Sequence, residues 1–203
     1  MFLVSACSFK NQIDSSYYCQ KLKLNCTKDN KIINFKTSKG NFEVKLFGKD
    51  NPVTVSNFIN NINKNIYKNQ KFYKIINYPQ VKVIHAGINE KNNYLSDKNQ
   101  ILNKQVLTIP LEINLKKMQE PKYEYQIKTP SSNENVKNLF ERGSIAMVKI
   151  GERDSSSTEF FFVTNKMPEL DGRYSIFGKI ASGFEVLEEI DNRDIIYDIK
   201  ISD

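Results

Sequence analysis

The chain reads as a mainly β domain carrying two short helices, and three features of the sequence lead there. It holds 13 Phe and 10 Tyr with no Trp, residue types suited to pleated, half-buried surfaces. Short apolar segments recur between turn signals, and one of them, Asn41-Phe42-Glu43-Val44-Lys45-Leu46-Phe47, alternates apolar and polar. Two other segments, beginning at Pro52 and Ser182, read as helices. With 203 residues and 39% hydrophobic content, the chain can bury one core and carry a tail.

Taken in order, residues 1–29 read as a signal remnant, a tether and an irregular lead-in. Val4-Ser5-Ala6-Cys7 resembles a bacterial lipobox, in which small residues let an extended segment enter a narrow peptidase groove before the Cys is lipidated. The apolar run ahead of Cys7 is shorter than the roughly 7–15 residues of a full signal peptide. We expect lipidation at Cys7, with the polar stretch 8–16 as tether and the protein lipid-anchored in a bacterial cell envelope, periplasmic or surface-facing. No other segment approaches the ~18 apolar residues of a membrane span. Cys19 and Cys26 could close a short disulfide loop in an exported protein or remain two unpaired thiols, and both readings stay open. The single histidine, His85, lies too far from them in sequence to suggest a metal set.

From residue 30 onward the pattern is that of a domain. Ile32-Ile33-Asn34-Phe35 and the alternating 41–47 segment flank the turn Ser38-Lys39-Gly40 and predict a hairpin. Asp50-Asn51-Pro52 is a helix start, a capping side chain followed by Pro in the first turn. Val55, Phe58, Ile59, Ile62 and Ile66 then give one apolar face to a helix ending near Asn65. A strand is expected over 81–87, an inserted surface loop over about 115–137 punctuated by Pro121 and Pro130, a short helix over 182–190 and a closing strand over 195–201.

The net charge of +7 comes from lysines spread along the whole chain rather than from Arg and Lys clustered with aromatics. Solvated surface lysine explains it, and no nucleic-acid partner is expected.

Residues 143–178 carry the most information. Gly143-Ser144-Ile145-Ala146-Met147, then Glu159-Phe160-Phe161-Phe162, then Leu170-Asp171-Gly172 leading to Ile176-Phe177-Gly178, follow the order of the back half of a cyclophilin-type peptidyl-prolyl isomerase. The opening resembles the family as well, through Thr37, Gly40, Phe42, Val44, Leu46, Phe47, Pro52, Thr54, Val55, Asn57 and Phe58. The resemblance spans 31–201 and implies a closed eight-stranded antiparallel β-barrel capped by two helices. It also implies an enzyme that rotates X-Pro bonds without cofactor or metal, working as a monomer on proline-containing polypeptides.

That chemistry needs little covalent work. The barrier is lost amide resonance, roughly 18–20 kcal/mol. A site lowers it by gripping the proline ring and offering a donor to the prolyl nitrogen as it becomes basic, so that the twisted amide is held better than either planar form. The resemblance places the family's catalytic arginine at Lys74, within Phe72-Tyr73-Lys74-Ile75-Ile76. Lys keeps the charge but lacks the rigid guanidinium fork. Anchoring on Gly87 puts His85 at the family's glutamine and Val83 at its methionine, with Lys82 at the pocket phenylalanine unless Tyr78 supplies that ring. Phe161 becomes the proline-pocket floor and Phe160 core, because neighbours on a strand face opposite sides.

Met147, Val148, Lys149 and Leu170 complete the substrate-binding set with Tyr174, which stands where the family has histidine. Glu159 replaces a glutamine and could pair with Lys74. The alternative readings take Lys74 as a solvated strand lysine, His85 as a structural histidine and the three phenylalanines as plain core. Accordingly two functions follow: an isomerase acting on exported or unfolded polypeptides to assist their folding, or a catalytically weak cyclophilin-like module that binds peptides or proteins.

Overall fold

The computed structural model describes residues 14–88, 108–128 and 135–202. Cys7 and most of the expected tether lie outside the described residues. The chain opens with α1 (Ser15–Lys21), where an irregular lead-in was expected. Local chemistry accounts for the difference: the Asp14 carboxylate caps the helix by accepting the Tyr17 N–H at 3.1 Å. Cys19 and Cys26 then form a disulfide with a Cα–Cα separation of 5.9 Å, which settles the alternative left open above. Tyr18 is buried, its hydroxyl donating to Glu124 at 2.7 Å and its ring 4.7 Å from that of Tyr123.

β1 (Lys31–Thr37) and β2 (Gly40–Leu46) form the expected hairpin, with Thr37 opposite Gly40. α2 (Pro52–Asn63) follows, with Asn65 just beyond it in the left-handed region at φ 56°. Neither Asp50 nor Asn51 caps it locally. Instead the buried Glu112 carboxylate, from a distant segment, accepts the N–H groups of Val53 at 3.1 Å and Thr54 at 2.7 Å. Burial pushes the Glu112 carboxyl up to about 7 even though both helix N–H groups favour its charged form.

The remaining strands are β3 (Gln70–Lys71), β4 (Lys74–Asn77), β5 (Lys82–Ala86), β6 (Thr108–Pro110), β7 (Glu112–Ile113), β8 (Lys122–Tyr123), β9 (Ser144–Lys149), β10 (Asp154–Val163), β11 (Ile176–Ser182) and β12 (Ile195–Ile201), with α3 (Phe184–Glu189) before the last. Ten of the strands form one antiparallel sheet in the order β3-β12-β1-β2-β11-β9-β10-β5-β4, with β6 added alongside β10. The two ends of that path, β3 and β4, are separated in the chain only by Phe72 and Tyr73. The sheet therefore curls on itself while its hydrogen-bond ladder stays open. This corrects the expected closed eight-stranded barrel: Phe72 turns fully into the core, its N–H bonding Asp194 O at 3.1 Å, and breaks what would have been one continuous strand.

Inside the curl lie Phe35, Phe42, Phe160, Phe162 and Phe177, with Phe58 and Ile62 of α2 closing one end. Phe35 and Phe42 stack at 4.7 Å, and Phe58 packs on Tyr67 at 4.9 Å. Each such ring contributes on the order of 2 kcal/mol by leaving water, and edge contacts add about 1 more. α3 is held at its far end by Lys82, whose Nζ donates to the carbonyls of Glu188 at 2.7 Å and Ile190 at 2.5 Å. Lys82 is thus a clamp on α3 and not a pocket residue.

The 115–137 segment is more than a surface loop. β7 pairs β8, Leu115 bridges Val136, and Ile127 and Val136 are buried. Residues 129–134 lie outside the described part. Among the described residues no helix is long and apolar enough to cross a membrane.

Because the folded-state carboxyl of Glu112 is raised to about 7 from its ordinary 4.5, the folded protein holds that proton more tightly than the unfolded chain. Its stabilising share is complete below pH 4.5 and falls as pH rises through 7. Urea unfolding of wild type and Glu112→Gln across that range should show wild-type stability, taken relative to the variant, falling by roughly 3 kcal/mol as pH rises. A pH-independent difference would refute the assignment.

Candidate active site

The pleat of β10 divides three consecutive phenylalanines. Phe160 and Phe162 point into the core, fully buried, whereas Phe161 and Val163 point outward into a second apolar cluster with Val83, Phe140, Ala146, Met167 and Ile176. Cross-strand pairing then carries one row of side chains across the outer face. Lys74 pairs with His85, His85 with Phe161, Phe161 with Ala146, and Ala146 with Ile176. A parallel row runs Ile76, Val83, Val163. Directly opposed residues on neighbouring strands share a face and touch, so residues far apart in sequence converge.

Lys74, His85, Phe161, Ile76 and Val83 of these rows line a cleft of about 960 Å³, walled on the far side by Met167, Leu170 and Tyr174 around the short 3-10 turn Pro168–Leu170. Phe161 lies at its base. The rings of His85 (5.4 Å, 26°) and Phe140 (5.7 Å, 17°) lie nearly parallel to it, and Tyr174 meets it edge-on at 5.3 Å. The floor is held from behind: the buried Asp171 carboxylate accepts the Phe140 N–H at 2.6 Å, so the Asp-Gly turn and the ring layer under Phe161 are one unit. Burial raises the Asp171 carboxyl.

Lys74, at the cleft edge, is exposed, and among the described residues no ion pair involves it. His85 is half-buried, and burial first, then the Lys74 charge beside it, lowers its imidazole to about 4. It is a neutral ring at pH 7, one nitrogen able to donate and the other to accept. Lys149 donates to the Gln126 side-chain oxygen, and burial lowers its ammonium.

Of the residues anticipated from sequence, the cleft brings together Lys74, His85, Phe161, Tyr78, Val83, Val148, Lys149, Leu170 and Tyr174. Two are elsewhere. Met147 pairs with Phe160 and is fully buried in the main core, because the β9–β10 register sends Ala146 and Val148 to the outer face instead. Glu159 does not line the cleft; it accepts the Tyr73 hydroxyl at 2.7 Å, and no ion pair joins it to Lys74. It sits at the end of an irregular stretch of β10 pinned by Asn57 and Asn61 of α2, both donating to Ser157 O. The lining also includes Ile76, Pro79, Gln80, Val81, Asn165 and Met167, which sequence reasoning missed. Strand alternation from Lys74 could have found Ile76, and from Val83 could have found Val81; nothing local marks Phe140 as the second ring layer. Among the described residues no cluster of His, Cys, Asp or Glu is placed to hold a metal.

A curled antiparallel sheet bearing an aromatic-floored cleft on its outer face, with a cation at the edge, defines a cyclophilin-like domain. The sequence model for the cyclophilin type peptidyl-prolyl cis-trans isomerase/CLD family matches residues 32–202, and the chain belongs to that family. Family members isomerise X-Pro bonds and thereby assist protein folding. A peptidyl-prolyl cis-trans isomerase of Helicobacter pylori strain J99 is 30% identical over 169 residues, covering 82% of this chain and 85% of that one. Peptidyl-prolyl cis-trans isomerase A of Dickeya dadantii is 30% identical over 159 residues, covering 76% and 67%. In structure, a cyclophilin type isomerase of Cryptosporidium parvum superposes with a TM-score of 0.60 at 22% identity, covering 86% of this chain and 99% of that one. The same isomerase, crystallised in the presence of the dipeptide Ala-Pro, gives 0.57 at 22% identity, covering 85% and 99%.

With a folded-state value near 4 against an ordinary 6.5, His85 contributes stability that is present above pH 6.5 and is lost as pH falls toward 4. As the only histidine, its ring protons can be followed directly by NMR. The titration should centre near 4, and Lys74→Gln should move it upward by less than the full distance to 6.5, since burial is the larger cause. A midpoint at 6 or above in the folded wild type would rule out this environment.

Proposed function

We propose that this chain isomerises X-Pro bonds of exported or unfolded polypeptides in the outer-face cleft, with Lys74 in the role of the family's arginine. The observation that carries this reading is the cross-strand row Lys74–His85–Phe161, which sets a cation at the edge of an aromatic floor. The proline ring would rest on Phe161 between Leu170, Val83 and Tyr174. Lys74 would donate to the prolyl nitrogen as it pyramidalises, and the neutral His85 would bond the peptide backbone. The Ala-Pro dipeptide used with the Cryptosporidium relative supports a proline-bearing peptide as ligand.

A second reading is a peptide-binding module with little turnover. Lysine as a mobile point donor, in place of a bidentate fork, favours it. NMR exchange measurements on an Ala-Pro peptide separate the two. The enzyme reading expects Lys74→Ala to lose at least tenfold in kcat/KM with binding retained, and Lys74→Arg to match or exceed wild type. Equal background rates for wild type and Lys74→Ala, with the peptide still bound, would leave the binding module.

We also infer a place for the protein in the cell envelope, lipid-anchored through Cys7. The Cys19–Cys26 disulfide supports an oxidising compartment, and Val4-Ser5-Ala6-Cys7 supports lipidation. Labelled fatty acid should be incorporated into the wild type and not into Cys7→Ser, and the variant should leave the membrane fraction; equal labelling of both would exclude the anchor.

A further inference from the structure

The segment that distinguishes this chain from the compact family frame is docked on the wall of the cleft. Ile127 is buried against the turn at Gly172, its N–H donating to Gly172 O at 2.9 Å. Gly172 has φ +71°, and a Cβ there would come within 2.8 Å of the Ile127 side chain, so the fit depends on the missing atom. Behind it, Glu124 takes the Tyr18 hydroxyl, which ties the segment to α1 and the disulfide loop. Residues 126–128 are therefore fixed next to Gly172 and Tyr174.

Between this segment and the sheet lies a second pocket of about 280 Å³, sharing Lys149 and Tyr174 with the main cleft. Its charged lining is Lys128, Lys149 and Arg173 against the single carboxylate of Glu152. We propose that residues 126–128, with Lys149 and Arg173, form a subsite beside the proline cleft that takes an acidic side chain flanking the substrate's proline. This rests on the cleft being the proline site. Lys149 and Arg173 are half-buried and Lys128 is exposed at the pocket mouth, so three cations stand around one anion and a substrate carboxylate relieves their repulsion. Burial is the main cause that lowers the Lys149 ammonium; Glu152 opposes it and Arg173 adds a smaller lowering influence. The Lys149–Gln126 hydrogen bond orients that ammonium within the shared wall.

The test uses fluorescence anisotropy with labelled peptides holding one proline among alanines, and Glu, Gln or Lys at each nearby position on either side. At one position Glu should bind about three- to tenfold tighter than Gln, with Lys weakest, as expected for one or two half-exposed ion pairs. The preference should shrink at high salt. In the Lys128→Gln/Arg173→Gln variant it should vanish while the Gln peptide binds as before. Equal binding of Glu and Gln peptides at every position overturns the subsite, as does a preference that survives in the variant. Isomerisation of the same peptides, read by NMR exchange, reports on the enzyme reading separately: bound peptides that show Glu selectivity without turnover sink that reading alone, and failure of every peptide to bind overturns both.

Discussion

Two-residue periodicity along a single strand is the constraint on which this structure depends. β10 places Phe160 and Phe162 in the core and Phe161 at the floor of the cleft. Core and site are thus back to back, one strand thick. A shift of one residue in register would exchange the two faces, so packing of the inner rings fixes the position of the outer one. The same logic extends sideways: Lys74 and His85 share the face of Phe161 because their strands pair with it directly, and no loop is needed to gather them.

Around that sheet, the long-range polar contacts are concentrated at places where the backbone ends or breaks. Glu112 caps α2 from another part of the chain, and Lys82 closes the far end of α3. Asn57 and Asn61 hold the irregular stretch of β10, while Asp171 holds the ring layer beneath Phe161. Apart from the more exposed Lys82 contacts, each partner satisfies a buried backbone group whose loss would cost about 1–3 kcal/mol. The inserted segment and α1 form a further shell, joined through Tyr18, Tyr123 and Glu124 and constrained by the disulfide.

The rim of the cleft is electrostatically different from its floor. Lys74, Lys149, Lys166 and Glu169 surround a base of Phe161 and Val83 and a wall of Met167 and Leu170. His85 stays neutral between a cation and an aromatic ring, so it can orient a peptide backbone without adding charge. Glu159 turns away to take the Tyr73 hydroxyl.

Much of this was legible in the sequence. Alternation over 41–47, the Asn51-Pro52 helix start and the order of turns in 143–178 each act locally, so they fixed the hairpin, α2 and the inward and outward faces of β10. Other features belong to the tertiary structure alone. The break at Phe72 that leaves the ladder open, the burial of Met147, the remote Glu112 cap and the docking of Ile127 on Gly172 all arise between segments distant in sequence. Periodicity says which side chains share a face, because that is set by the strand's own geometry; which face meets which partner depends on inter-strand register and burial, and only the folded chain decides those.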